Sequence, residues 1–272
     1  MAPEMAFRSP RSLIEAGTSI PDLYEWNARE NAEYPLFRFH DGGAVRVITY
    51  GNTISAIRKV ARHVCSLVGN KERLPIAVLA NVGMCRGFHF SICTAPTKTI
   101  LLDSITYCVN SVGILRAGHI LFPVSVRNGA AAVADLLRRT GCSHVLVSQD
   151  EHMLSIAEQA AREVPGVMIY PIQLFDDLFS RPELPIDAAS DEPALPNRYD
   201  IDDVAMILHS SGELFHAAVK PLNTNGNLQV PRAIRNQSTG PIGGWSVEEQ
   251  PHVRIVINSN LSHAHALLLR VW

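Results

Sequence analysis

The sequence predicts an α/β fold, a mostly parallel sheet flanked by helices, followed by an irregular C-terminal tail. Three observations predict it. From Asp103 onward, short apolar runs alternate with segments of helical period about ten to fifteen residues long, the pattern of βαβ units. Pro75–Ala80 (PIAVLA) is a continuous apolar run, as in a strand buried on both faces. Val204–Leu208 is another such run, and it leads straight into His209-Ser210-Ser211-Gly212.

The elements follow in order. Residues 19–32 read as a helix, with Ser19 as N-cap, Pro21 in the first turn and Leu23, Tyr24 and Trp26 on its apolar side. Leu36–His40 and Ala44–Thr49 flank Asp41-Gly42-Gly43, a hairpin signal. Asn52 or Thr53 is expected to cap the next helix, whose apolar set is Ile54, Ile57, Val60, Ala61, Val64, Leu67 and Val68. Helix 104–117 leads to strand Ile120–Val124, helix 129–140 to strand His144–Val147, and helix 151–163 to strand Val167–Tyr170. Pro182–Asn197, with prolines at 182, 185, 193 and 196, reads as a surface connection.

Two stretches break the alternation. Residues 83–102 (GMCRGFHFSICTAPTKTILL) interrupt a strand-to-helix junction with no period of their own, which is unusual inside an α/β unit. Residues 213–250 are rich in Asn, Gly, Pro and Gln. Residues 84–101 and 213–250 are therefore expected to be the least regular parts outside the termini. Beyond them, His252–Ile257 reads as a strand and Ala264–Val271 as a short helix.

Composition excludes several function classes. The chain has 272 residues, 47% apolar and 18% charged, with net charge −2, so most of it is not disordered. Bulk basic charge does not drive it onto nucleic acid. Of the 24 basic residues only Lys59, Lys71, Lys98 and Lys220 are lysines. Cys65, Cys85, Cys93, Cys108 and Cys142 are odd in number and form no C-x-x-C pair, which argues against a disulfide framework or structural zinc and for reduced thiols in a cytoplasmic setting. Met1–Gly17 does not read as a secretory signal, and no apolar run reaches the roughly 18 residues of a membrane span.

Ser210-Ser211-Gly212 is the stretch that carries chemistry. Small hydroxylated residues after a buried strand can turn backbone N–H groups toward a phosphate, with hydroxyls as further donors and glycine allowing close approach. A tripeptide is a weak signal alone. Its surroundings add to it. Thr49-Tyr50 closes the hairpin, Pro75–Asn81 is the first core strand, and Gly113-Ile114-Leu115-Arg116-Ala117-Gly118-His119-Ile120-Leu121-Phe122-Pro123-Val124 carries an L-x-A-G-x-x-x-x-P pattern. With these segments in this order, the chain resembles the adenylate-forming superfamily over residues 21–82 and 103–212. This superfamily comprises acyl- and aryl-CoA synthetases, luciferases and adenylation domains. Phe122–Asn128 is most similar to fungal reductases that begin with an adenylation domain.

The resemblance implies activation of a carboxylic acid with ATP and Mg to acyl-AMP, then transfer to CoA or to a carrier-protein phosphopantetheine. It implies neither nucleic acid nor membrane as partner. The family's phosphate loop runs hydroxyl, hydroxyl, Gly, hydroxyl, Thr, Gly, any residue, Pro, Lys. Here Gly212 is followed by Glu213, and Ser238-Thr239-Gly240 comes later, followed by Pro241-Ile242-Gly243 with no basic residue. Ser210, Ser211, Gly212, Ser238, Thr239 and Gly240 are thus expected as remnants of one loop, with no catalytic or metal-binding residue assigned. Joining Gly212 to Ser238, or Val82 to Asp103, would restore family-like junctions, as if translated introns lay between; genuine insertions are the rival explanation. The expected organisation is the N-terminal part of an adenylation domain over 1–212 and a divergent tail over 213–272. No lysine follows Lys220 to serve as the family's C-terminal catalytic lysine.

Other groupings have plainer explanations beside them. His209 can touch a nucleotide phosphate or cap the strand end. His263 and His265 lack an acidic or cysteine companion for a metal. Asp202-Asp203 fits an acidic turn better than a magnesium site. Cys142 and His144 share a strand face, as nucleophile and base would, but a core strand explains both more simply. Arg138-Arg139 reads as a solvated helix face. Three function classes remain: an inactive part of an acid-activating enzyme, a non-catalytic nucleotide-binding or interaction module that kept a partial adenylation fold, and an unrelated Rossmann-like domain. The last lacks a G-x-G-x-x-G after its first strand.

Overall fold

The computed structural model describes residues 8, 19–41, 44–69, 72–83, 102–179, 204–210 and 213–218. Its centre is β3 (Pro75–Leu79), where Ile76 to Leu79 are all buried. An apolar strand with no polar face must be covered on both sides. Parallel neighbours β6 (Ile120–Pro123) and β7 (His144–Val147) flank it, in the registers Ile76↔Leu121 and Ile76↔His144. Outward from these lie β8 (Met168–Pro171), parallel to β7, and β9 (Val204–Ser210), parallel to β6. With β10 (Glu213–Ala218) antiparallel to β9, the six-stranded order is β10-β9-β6-β3-β7-β8.

Helices cover both faces. On one lie α1 (Ile20–Glu30), α2 (Tyr50–Val68), α3 (Ser104–Arg116) and α6 (Phe175–Phe179); their buried side chains pack with Ile76, Val78, Leu121 and Leu146. On the other lie α4 (Ala130–Thr140) and α5 (Glu151–Glu163), packed with Ala77, Leu79, Phe122, Val145 and Val147. The period of two along β3 thus distributes its residues between two cores.

Local signals set the helix starts. Ser19 accepts from the Asp22 amide, as expected of an N-cap. For α2 the expected cap, Asn52 or Thr53, is corrected to Thr49. The Thr49 hydroxyl accepts from the Asn52 amide, and the Asn52 side chain accepts from the Thr49 amide, so both are satisfied reciprocally. Asp103 and Asp150 cap α3 and α5 through the amides of Thr106 (2.8 Å) and Met153 (3.0 Å).

The hairpin β1 (Pro35–Asp41) and β2 (Ala44–Thr49) forms a separate two-stranded sheet, pairing as its Asp-Gly-Gly signal predicts. It is anchored on α6: Phe39 meets Phe175 edge-on at 5.8 Å, and the Arg46 guanidinium lies 5.9 and 5.7 Å from the two ring centres. Val45 and Val47 on its outer side stay 59% and 45% exposed.

Where the period fails, the structure gives two results. β4 (Val82–Gly83) and β5 (Leu102–Asp103) pair in parallel, Val82 with Leu102 and Gly83 with Asp103. The chain therefore returns beside its point of departure, and Asp103 at once caps α3. Glu213–Ala218, inside a stretch expected to be irregular, forms β10; the ladder offered by β9 supplies hydrogen bonds that sequence period does not signal. Residues 84–101, Pro182–Asn197, the rest of 213–250, His252–Ile257 and Ala264–Val271 lie outside the described residues.

Two contacts generate predictions. A Cβ on Gly113 of α3 would stand 2.4 Å from Val60 Cγ1 and 2.5 Å from Val60 Cβ. Gly113→Ala is expected to destabilise by about 1–3 kcal/mol from overpacking, although alanine by itself favours a helix by up to about 1 kcal/mol. Urea denaturation checks this, and Val60→Ala in the same chain should recover part of the loss. A stabilised Gly113→Ala variant would contradict the packing. The second contact is buried His119, whose Nε2 donates to Gly69 O at 3.0 Å while Nδ1 accepts from the Leu74 amide at 3.4 Å, tying the end of α2 to the start of β3.

Burial holds the imidazole of His119, and that of His144, below the usual histidine pKa. Unfolding therefore takes up protons once pH falls below about 6.5. Stability is expected to be full above that value and to decline as pH drops from it toward the lowered folded values. His119→Gln should flatten the decline in urea midpoints measured between pH 7.5 and 5.5, whereas an unchanged slope would remove His119 from the account.

Candidate functional site

The carboxyl ends of β9, β6, β3 and β7 lie side by side along one edge of the sheet. The chain leaves β3 toward α3 on one face, but leaves β6 and β7 toward α4 and α5 on the other. Such divergence opens the crevice where open α/β sheets hold ligands. His209, near the end of β9, faces this edge. Its Nε2 accepts a hydrogen bond from the Ser125 amide at 3.0 Å, and its ring meets Phe122 edge-on at 6.2 Å and 82°. Nε2 accepts here, so in the neutral ring the proton sits on Nδ1. Of the two roles open to His209 in the sequence, the structure supports the cap: it ties β9 to the loop after β6.

That loop is held by its own turns. The Arg127 amide donates to Ser125 Oγ at 3.3 Å and the Asn128 amide to Ser125 O at 3.1 Å. α4 begins behind Gly129, with no side chain capping it. Asn128 Nδ2 and Ser148 Oγ are buried along the same edge without a hydrogen-bond partner.

Among the expected loop residues only Ser210 is described, as the last residue of β9. Its backbone is paired with Glu213, the first residue of β10. Ser211, Gly212, Ser238, Thr239 and Gly240 lie outside the described residues, as do Asp202, Asp203, His263 and His265. No cluster of three potential metal ligands occurs among the described residues.

Cys142 and His144 sit at the opposite end of the sheet and are buried, as residues of a core strand should be. The Cys142 thiol donates to the carbonyls of Pro75 (3.2 Å) and His144 (3.3 Å), and burial pushes its pKa up to about 11. It stays a neutral thiol near pH 7. The His144 ring instead stacks on Tyr170 at 5.9 Å, with the Tyr170 hydroxyl 3.4 Å from Nδ1. Arg138 and Arg139 form exposed pairs with Glu163 (3.2 Å) and Asp135 (3.8 Å), as a solvated face should.

Sequence reasoning missed the role of Arg116. The Glu25 carboxylate takes both Arg116 and Arg58, the latter through two contacts at 3.2 and 2.6 Å, and so joins α1, α2 and α3. The residues are far apart in sequence, and no local spacing signals the pairing.

No family model matches the chain. Curated relatives do, among them two fungal reductases. It is 27% identical over 206 residues to adenylate-forming reductase Nps10 of Heterobasidion annosum, covering 71% of this chain and 17% of that protein. It is 27% identical over 204 residues to adenylate-forming reductase Nps11 of Serpula lacrymans, covering 73% and 17%. In sequence this chain is similar to adenylate-forming reductases. It spans about a sixth of the length of these reductases.

Solved structures similar to it include a benzoate CoA ligase from Burkholderia xenovorans, with TM-score 0.49 and 18% identity, covering 73% of this chain and 34% of that one. Another is a fatty acyl CoA synthetase from Mycobacterium tuberculosis, with TM-score 0.49 and 16% identity, covering 73% and 34%. No helix among the described residues is long and apolar enough to cross a membrane.

The His209 contact can be checked directly. His209→Ala strands the Ser125 donor, so a loss of about 1–3 kcal/mol is expected, with faster hydrogen exchange at the Ser125 amide. Unchanged stability and exchange would show that the ring does not hold the loop.

Proposed function

We propose that this chain is the first subdomain of an acid-activating, adenylate-forming enzyme, and that these 272 residues by themselves do not turn over substrate. The observation that carries the reading is the match at 27% identity across 71% of the chain to a reductase of which it spans 17%. The parallel sheet with helices on both faces is the scaffold such a subdomain needs. In a complete enzyme of this kind, ATP with Mg and a small carboxylic acid are the substrates. The acyl group then passes to CoA or to a carrier-protein phosphopantetheine. A cytoplasmic setting suits both ATP chemistry and the free thiols of Cys65, Cys108 and Cys142.

Inactivity follows from charge. Attack of a carboxylate on ATP develops negative charge on phosphate oxygens, and preorganised donors must meet it. Here Glu213, an acid, follows Gly212 where the family continues with a hydroxyl residue, threonine and glycine. Loss of one such donor costs about 10²–10³ in rate, and several are interrupted together. A non-catalytic interaction module is the second reading, favoured by the pairing of Ser210 with Glu213.

Acid-dependent exchange of pyrophosphate into ATP, run on the purified chain with aromatic and aliphatic acids, tests the proposal. No exchange above background is expected. Robust exchange with any acid would overturn it.

A further inference from the structure

We infer that the free edge of β2 is a docking surface for an extended segment of a partner protein, which adds as a third strand and carries an acidic residue between two apolar ones. β2 pairs with β1 in a sheet of two strands. Among the described residues, no backbone hydrogen bond from elsewhere reaches Val45 or Val47. An open strand edge is a template for another strand. Its side chains are also placed the wrong way round for solvent. An antiparallel sheet with one covered face keeps apolar residues inside and polar ones outside. Here Arg46 takes the anchored face, over the rings of Phe39 and Phe175, and Val45 and Val47 take the outer one. Ala44 to Val47 are all exposed, and the two valines are, with Met168, the exposed large apolar side chains of the described residues. Apolar surface of this kind marks a contact that the chain does not make with itself.

The register defines the occupant. Residues directly opposite on neighbouring strands share a face and interact. A strand laid along β2 therefore sets one side chain opposite Val45, one opposite Arg46 and one opposite Val47. Apolar residues match the valines, and a carboxylate matches the guanidinium. Arg38, exposed and opposite Val47 on β1, adds positive charge to the outer face. A second copy of this chain does not fit: antiparallel pairing of β2 with itself, valine against valine, sets Arg46 against Arg46, and like charges directly opposite are destabilising. The edge also has a packed base, since Phe39 meets Phe175 at 5.8 Å and fixes the hairpin on α6.

The inference goes beyond the proposed function and needs neither ATP nor an acid substrate. The test titrates the full, isotope-labelled chain with a synthetic peptide that alternates valine with glutamate, and with a matched peptide that has lysine for glutamate. The glutamate peptide is expected to shift the amide resonances of Ala44 to Ile48 saturably. It should bind up to about fivefold more tightly than the lysine peptide, the worth of one cross-strand pair. Arg46→Glu should invert that preference. Because Arg46 also lies over Phe39 and Phe175, a second variant leaves that contact intact. Val45→Thr combined with Val47→Thr keeps two strand-forming residues and should weaken the glutamate peptide by about fivefold.

A glutamate peptide that leaves Ala44 to Ile48 unshifted would overturn the inference and reduce Arg46 to a charge that keeps the edge solitary. Equal affinity for the two peptides would overturn it too. So would concentration-dependent shifts at these amides in the chain alone, which mark a second copy as the occupant. None of these outcomes bears on pyrophosphate exchange, so the proposed function stands or falls separately.

Discussion

The structure depends on one constraint: β3 has no polar face. Ile76 and Val78 point into one core and Ala77 and Leu79 into the other, all of them buried. A strand of this kind is stable only between helical layers on both sides and parallel strands along both edges. The chain meets the requirement by sending α3 to one face and α4 and α5 to the other. The same divergence brings the ends of β9, β6, β3 and β7 to one edge, where a ligand would approach. Packing and candidate site are therefore one consequence of a five-residue apolar run.

His209 is spent on holding the β6 loop, and Ser210 is paired with an acidic residue where the family continues a phosphate loop. The His209 ring and the Ser210 backbone at this edge serve the scaffold itself. Among the described residues at this edge, Asn128 Nδ2 and Ser148 Oγ are buried without a hydrogen-bond partner.

The fold was legible wherever the period is local. Glu151–Glu163 and Ala44–Thr49 match the sequence expectation residue for residue, because apolar spacing and caps lie inside the element. Thr49 was missed as a cap because it also ends a strand, and either role suits its hydroxyl. The β4–β5 pair is illegible because its strands are two residues long and far apart in sequence, and β10 because Glu213–Ala218 (ELFHAA) does not alternate apolar with polar. The site was less legible still. The composition of Ser210-Ser211-Gly212 suits an anion loop, and the pairing of Ser210 with Glu213 has no signal in local spacing. The Glu25–Arg58–Arg116 contact had no sequence signal, because three separate helices supply it.

The two-faced core closes on itself at the β3-to-α3 junction, where Val82–Gly83 and Leu102–Asp103 lie paired and Asp103 caps the helix. Excising residues 84–101 measures this most directly. The account predicts that the shortened chain keeps a cooperative urea transition with a midpoint equal to or above that of the parent. It also predicts that the slowest-exchanging amides remain in β3, β6 and β7. A shortened chain that loses its cooperative transition, or whose β3 amides lose protection, would contradict it.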